Sequence, residues 1–201
     1  MSNVNNFRNK GVPYKTVYAL IQQMGADSIQ TVTSGSLDTI VTYKITNYQA
    51  GDDFTNIGAP SNANDVYFIP TGPTPANWSN GSELTYNQGA PLCGIIENTL
   101  GPIWFERNDV GIYYVKSNGL FINSEKTGIQ ATATVTPNIG LQSTAYWLDT
   151  IPMGDTSTIV IQTGIYELAV IGSVSIKMTL QDSVISPGGS EYAILEIKVY
   201  P

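Results

Sequence analysis

Apolar and polar residues alternate with period two along several stretches of this chain. Val174, Ile176, Met178 and Leu180 alternate with Ser175, Lys177 and Thr179. Ala193, Leu195, Ile197 and Val199 alternate with residues that include Glu196 and Lys198, and Ala131, Ala133 and Val135 with Thr132, Thr134 and Thr136. Period two places one set of side chains on a buried face and the other in water, so each stretch predicts a half-buried strand. Further strands are predicted over Ile40–Tyr48, Asp65–Ile69, Ile103–Arg107, Gly111–Lys116, Ser143–Asp149, Thr158–Thr163 and Tyr166–Ile171. Thr16–Met24 has no clean period; its opening Thr, Val and Tyr favour a strand over a short helix. Turn signals separate the strands at Asn118-Gly119, Pro137-Asn138, Pro152-Met153-Gly154-Asp155 and Pro187-Gly188-Gly189. Many short strands at this spacing predict antiparallel sheets packed as an all-β sandwich or barrel.

Composition reinforces the pattern. Ile and Val total 36 of 201 residues and Thr adds 21, the β-branched types that suit a pleated surface. Charged residues are 12% of the chain, about half the usual share, while apolar residues are 42%; this is a chain with a real core and not a disordered one. Residues 1–13 are polar and Asn-rich with two cations, Arg8 and Lys10, and read as an N-terminal arm. Residues 49–89 are dense in Gly, Pro, Asn and Asp and read as a small loop-rich β unit.

Charge and missing residue types narrow the chemistry. The chain has no histidine, which removes Ser-His-Asp and Cys-His nucleophilic sites and most zinc or iron sites. It has one cysteine, Cys93, so no disulfide closes within it. A net charge of -7 with nine cations leaves no basic face for nucleic acid. No apolar run approaches the ~20 residues of a membrane span, and the first residues carry no apolar signal-peptide core. The expected partners therefore include neither nucleic acid nor membrane.

Carboxylates remain as a catalytic resource. A glycosidase needs two, about 5–10 Å apart; Glu97 with Glu106, and Asp52 with Asp53, are the available pairs. The simpler reading makes Asp53 a turn cap and the glutamates solvated strand residues. Asp52, Asp53, Asn56 and Asn62 are oxygen donors of the kind calcium prefers, but their spacing departs from the calcium-loop pattern, and the same residue types dominate turns. Tyr43, Tyr48, Tyr113 and Tyr166 read as half-buried strand residues. Trp78 sits in a polar loop and is the candidate for contact with a partner. Asn77-Trp78-Ser79 and Asn80-Gly81-Ser82 match the glycosylation acceptor by accident of composition. Cys93, within Leu92-Cys93-Gly94-Ile95-Ile96, reads as a small buried apolar residue. The expectation is no enzyme, no cofactor and no metal.

Two sets of motifs bear on family. Asp53-Phe-Thr-Asn-Ile-Gly-Ala59, Asn62, the Val66–Phe68 strand, Thr71-Gly72 and Thr74-Pro75 resemble a short β module, D-F-T-x-I-G-A-x-x-N, of tailed-bacteriophage structural proteins. The likeness covers about residues 38–87 and includes Trp78–Leu84, with Pro70 where many relatives have Ala. Tyr18-Ala-Leu-Ile-Gln-Gln-Met-Gly25, Ala90-Pro91, Glu97-Asn-Thr-Leu-Gly101, Trp104, Arg107, Gly111-Ile-Tyr113 and Leu195-Glu-Ile-Lys-Val-Tyr-Pro201 resemble a second phage virion family of the type A-L-L-x-Q-x-G, E-N-T-L-G and I-E-I-R-V-Y-P. Trp104 and Arg107 are one residue further apart than that family's W-x-R.

The resemblance implies a non-enzymatic virion structural protein, assembled in the host cytoplasm. Capsid association as a decoration or head-fibre component leads; a tail or fibre protein binding a host receptor or glycan is the alternative. It implies a sandwich-like domain split in sequence, 14–25 and 88–201, around an inserted module, 26–87. The implied partners are the major capsid protein or neighbouring structural proteins, and further copies of the chain, with a trimer expected. Arg8 and Lys10 are candidate anchor contacts to an acidic surface. In these motifs Gly58, Gly72, Gly101 and Gly111 are expected at turns or positive φ, and Asn98 and Thr99 to hydrogen-bond the turn before Gly101.

Overall fold

The structure, a computed structural model, describes residues 14–23, 26–121, 126–133, 144–152, 157–168, 176–180 and 193–201. Its strands are β1 Lys15–Gln23, β2 Ile29–Val32, β3 Tyr43–Asn47, β4 Tyr67–Phe68, β5 Glu83–Asn87, β6 Pro91–Asn98, β7 Ile103–Asp109, β8 Ile112–Ser117, β9 Thr127–Ala133, β10 Thr144–Pro152, β11 Thr158–Leu168, β12 Ile176–Leu180 and β13 Ala193–Val199. One 3₁₀ turn, Thr55–Ile57, interrupts them. The chain is all-β, with antiparallel sheets packed together as a sandwich-like domain.

Two sheets make the sandwich. In the first the order is β6-β1-β13-β9. The central pair β1 and β13 runs antiparallel from Lys15 opposite Val199 to Ile21 opposite Ala193. Val17, Ala19 and Ile21 turn inward with Leu195, Ile197 and Val199 of β13 and Cys93 of β6. The second sheet has the order β10-β11-β8-β7. The long β11 pairs with β10 on one side and, on the other, with β8 over its first half and β12 over its second. Ile103, Phe105, Tyr113, Val115, Ile159 and Ile161 supply its inner face. Leu100 and Phe121 close the core at one end.

A third sheet, β2-β5-β3-β4, is drawn wholly from residues 29–87 and has its own core of Leu37, Val41, Tyr43, Ile45, Phe54, Ile57, Ala59, Phe68 and Leu84. This module is keyed into one side of the sandwich. The Cys93 N–H of β6 donates to the Ile40 carbonyl (2.7 Å), and the Phe105 N–H of β7 donates to Thr42 Oγ1 (3.0 Å). Residues 40–42 thus close edge groups of both sandwich sheets, which is why the strand expected from Ile40 begins only at Tyr43. Ile69 of the module enters the sandwich core, and Leu92 of β6 packs on the module core. Arg107 pairs with Asp27 at 2.7 Å, and Tyr67 stacks on Trp104 with centroids 5.7 Å apart.

Other differences from the sequence expectation have local causes. Of Thr16–Met24, residues 16–23 lie in strand β1, and Met24 is outside the described residues. Asp65–Ile69 shortens to Tyr67–Phe68, with Asp65 at φ 65°, outside strand geometry. Thr158–Thr163 and Tyr166–Ile171 are one strand through Leu168, because Gly164 pairs on both sides, with Trp147 and Leu180, and makes no turn. Strands β2, β5 and β6 carried no recognised alternation. Residues 134–136, 137–138, 143, 153–155, 169–171, 174–175 and 187–189 of the expected strands and turns lie outside the described residues.

Candidate functional site

The polar side chains of the motif-rich module loops are engaged with each other and with the backbone. Asp53 Oδ1 accepts the Thr55 N–H (2.9 Å), the Thr55 hydroxyl (2.7 Å) and Asn62 Nδ2 (2.9 Å). Asn62 Oδ1 in turn accepts the Phe54 N–H at 2.9 Å. Asn56 accepts the Ala76 N–H and donates to the Thr74 carbonyl. This clasp holds the 3₁₀ turn so that Phe54 and Ile57 are buried, and Gly58 at φ +99° ends it. Hydrogen bonds from Asn62 and then Thr55 hold the Asp53 carboxyl below its ordinary range.

Asp52 faces the other way. It is 1% exposed, and its Oδ1 accepts the Ser79 N–H (2.8 Å), the Asn80 N–H (2.9 Å) and Asn80 Nδ2 (3.0 Å), while Oδ2 accepts the Ser82 N–H (3.0 Å). Burial pushes this carboxyl up. The hydrogen bonds from Ser82, Asn80 and Ser79 outweigh burial and bring it down to about 2. Asp52 and Asp53 are therefore two anchors with separate partners and not an acid–base pair. Asp52, Asp53, Asn56 and Asn62 turn toward three different loops and form no shared oxygen cage. Among the described residues no group of three or more Cys, Asp or Glu is placed to hold a metal ion.

Trp78 joins this scaffold. Its ring meets Phe54 edge-on at 5.4 Å and 77°, and its indole N–H donates to the Ser82 carbonyl at 2.7 Å. The loop around it looks polar in sequence, but its backbone N–H groups and the Asn80 side chain gather on Asp52 and the indole lies half-buried on the module core. The expectation that Trp78 reaches a partner thus meets a ring already packed at one face and at its polar atom. Both glycosylation-like asparagines are occupied too: Asn77 donates to the Gly51 carbonyl and Asn80 to Asp52. Arg8 and Lys10 lie outside the described residues.

The remaining candidates separate. Glu97 is exposed on β6, in the first sheet. Glu106 is on β7, in the second, and accepts the Trp104 indole N–H at 2.7 Å. Cys93 is fully buried, and burial pushes its thiol up to about 12. Tyr43 and Tyr113 are core residues; Tyr48 donates its hydroxyl to the Asp52 carbonyl oxygen at 3.1 Å. Tyr166 lies on β11, and its side chain is outside the described residues. Asn98 Oδ1 accepts the Leu100 and Gly101 N–H groups, as the turn chemistry predicts, whereas Thr99 bonds not the turn but Thr16 of β1, 83 positions away, through backbone and hydroxyl. Gly58, Gly101 and Gly111 have positive φ; Gly72 does not.

Among the described residues, large apolar side chains stand exposed on two edge strands, β6 and β2. β6 is the outermost strand of its sheet. Its first half is covered by Ile40; Ile95–Asn98 are exposed, Ile95 by 39% and Ile96 by 59%. Tyr18 pairs with Glu97 and Ala19 with Ile95, so Ile96 is the extra residue of a β-bulge and is pushed away from the sheet. Ile29, on the edge strand β2, is 64% exposed. Sequence reasoning passed over β6, although its signal was present: two consecutive isoleucines cannot both face one core in a regular strand. A second surface feature is the half-buried Tyr67–Trp104 stack (12° between planes), flanked by Lys44 with its partner Asp65 and by Glu106.

Comparison with protein-family models, with curated proteins and with solved structures finds no match to this chain.

Proposed function

We propose that this chain is a non-enzymatic structural protein of a tailed-phage virion, capsid-associated as a decoration or head-fibre component, working through contacts with other subunits. The motifs of the two phage families lead to this reading. The observation that supports it is the open second half of β6, with Ile95 and the bulged Ile96 turned to solvent. An edge strand offers unpaired N–H and C=O groups to another chain, and the bulge limits indiscriminate pairing while presenting one large apolar side chain to a fitting partner. A closed homo-oligomer, with three copies as the working expectation, would bury such edges. Arg8 and Lys10 remain the proposed contacts with an acidic neighbouring surface.

The decisive measurement is quantitative mass spectrometry of purified virions, read as copies of this chain per major capsid subunit. A near-stoichiometric ratio is expected. A few copies per particle would move the protein to neck or tail, and absence from the particle would overturn the reading. Ile96→Asp should lower occupancy without changing the circular dichroism spectrum; full occupancy would remove the β6 edge from the argument. The receptor-binding alternative rests on the Tyr67–Trp104 stack, not on Trp78. Glycan-array binding lost in Trp104→Ala and kept in Trp78→Phe would favour it.

A further inference from the structure

At the end of the sandwich where β1 begins and β13 ends, Tyr14, Leu100, Leu120, Val199, Tyr200 and Pro201 line an open groove of about 400 Å³. That volume is within the ~300–1,000 Å³ of ordinary ligand pockets. Its walls are held in place. Leu100 and Val199 belong to the sandwich core and are 5% and 4% exposed. The Tyr14 and Tyr200 rings meet at 5.6 Å and 53°, and the Tyr200 N–H donates to the Lys126 carbonyl. Gly101, at φ +132°, lets Leu120 close in: a Cβ there would lie 3.0 Å from Leu120 Cδ1. Lys198 Nζ stands 5.4 Å over the Tyr14 ring. Apart from Gly119 and the cation Lys15 the lining is aliphatic and aromatic, so it suits an apolar or aromatic side chain. Tyr14 nevertheless stays 46% exposed.

The chain itself supplies a matching segment. Residues 1–13 join the structure at Tyr14, on the rim of the groove. They carry Arg8 and Lys10 and no acid, a charge of +2, so residues 14–201 carry the remaining seven cations against sixteen acids, or -9. The segment has one aromatic, Phe7, seven residues before Tyr14, a tether of at most about 25 Å. A short tether gives an effective concentration on the order of millimolar, so even weak apolar docking is well populated within one chain.

We propose that Phe7 of the chain's own N-terminal segment docks in this groove and leaves Arg8 and Lys10 outside at its rim. The inference holds whether or not the protein belongs to a virion. It is tested in the full-length chain by the pair Phe7→Cys and Leu120→Cys under oxidised glutathione. The native Cys93 is buried and does not compete. The expected product is a disulfide within one chain, seen as a faster-running monomer on a non-reducing gel and as a linked peptide by mass spectrometry. The control pair Phe7→Cys and Asp109→Cys, at the far end of β7, should cross-link at least about tenfold more slowly. A disulfide between copies would assign the groove to a second copy's segment and overturn docking within the chain. Equal rates for the two pairs, or no cross-link, would overturn docking altogether. If Leu120→Cys fails to fold by circular dichroism, Pro201→Cys on the same groove replaces it with the same expectation.

Discussion

Replacing Asp52 by Asn tests whether one buried carboxylate organises the module loops. The exchange keeps size and shape, so no cavity opens. With its oxygen toward Ser79 and Asn80, the new amide turns an N–H group at the Ser82 N–H, where Oδ2 accepted a hydrogen bond at 3.0 Å. Two donors then face each other in a buried site, at a cost of about 1–3 kcal/mol. The three bonds to Oδ1 lose their charge assistance, which roughly halves each. Together these give an expected loss of about 2–4 kcal/mol, a large part of the ~5–15 kcal/mol of a typical domain. The pH dependence is a second, independent reading. The Asp52 carboxyl lies at about 2 against an ordinary 3.8, a gap worth roughly 2 kcal/mol. A carboxyl lowered by folding contributes its stability above the unfolded value and loses it as pH falls through the folded one. The wild-type advantage over Asp52→Asn should therefore be constant above about pH 5 and shrink between pH 4 and pH 2. Urea unfolding followed by tryptophan fluorescence at stepped pH measures it, and carboxyls common to both proteins, Asp53 among them, cancel in the difference. A gap below about 0.5 kcal/mol at pH 7, or one unchanged between neutral and strongly acid solution, would refute the reasoning.

Three further outcomes follow from the packing. Gly58→Ala puts a side chain at φ +99°, with its Cβ 3.2 Å from Thr71 Cγ2, and should cost about 1–2 kcal/mol in chemical denaturation; a neutral result would mean that the turn relaxes freely. Cys93, fully buried with its thiol at about 12, should react with iodoacetamide at least about 100-fold more slowly in the folded protein than in concentrated guanidinium, and comparable rates would contradict its placement. Phe105→Ala, at a ring 1% exposed between the sandwich sheets, should cost about 3–5 kcal/mol, while its neighbour Glu106→Gln should stay within about 0.5 kcal/mol. Similar effects at both would argue against the inward and outward assignment of β7.

The legible part of the fold was the part with a repeating pattern. β13 was readable because Ala193, Leu195, Ile197 and Val199 lie on one face with polar positions between them. The turn at Asn98–Gly101 was readable because an Asn side chain bonding the next amides is local chemistry. β6 was not, because Gly94 and the Ile95-Ile96 doublet break alternation at a bulge that only pairing with β1 defines. The half-buried setting of Trp78 was not readable for a related reason. Loop polarity reports the surroundings of a residue in sequence, whereas the indole is placed by Phe54 and Ser82, 24 positions before it and four after it.

By itself the sequence determined the structural class of this protein: few charges and long β-branched alternation build pleated sheets, and one cysteine closes no disulfide within the chain. It also determined the local turn chemistry at Asn98–Gly101 and the positive φ of Gly58 and Gly111, since these depend on residues only a few positions apart. The tertiary structure alone decided how the two cores meet. Residues 40–42 cap strand edges some 50 to 60 positions away, Asp52 gathers amides from residues 79–82, and Tyr14 meets Tyr200 beside the groove. A hydrogen bond or an apolar contact between distant segments depends on both ends being brought together, and no pattern within either end carries that information.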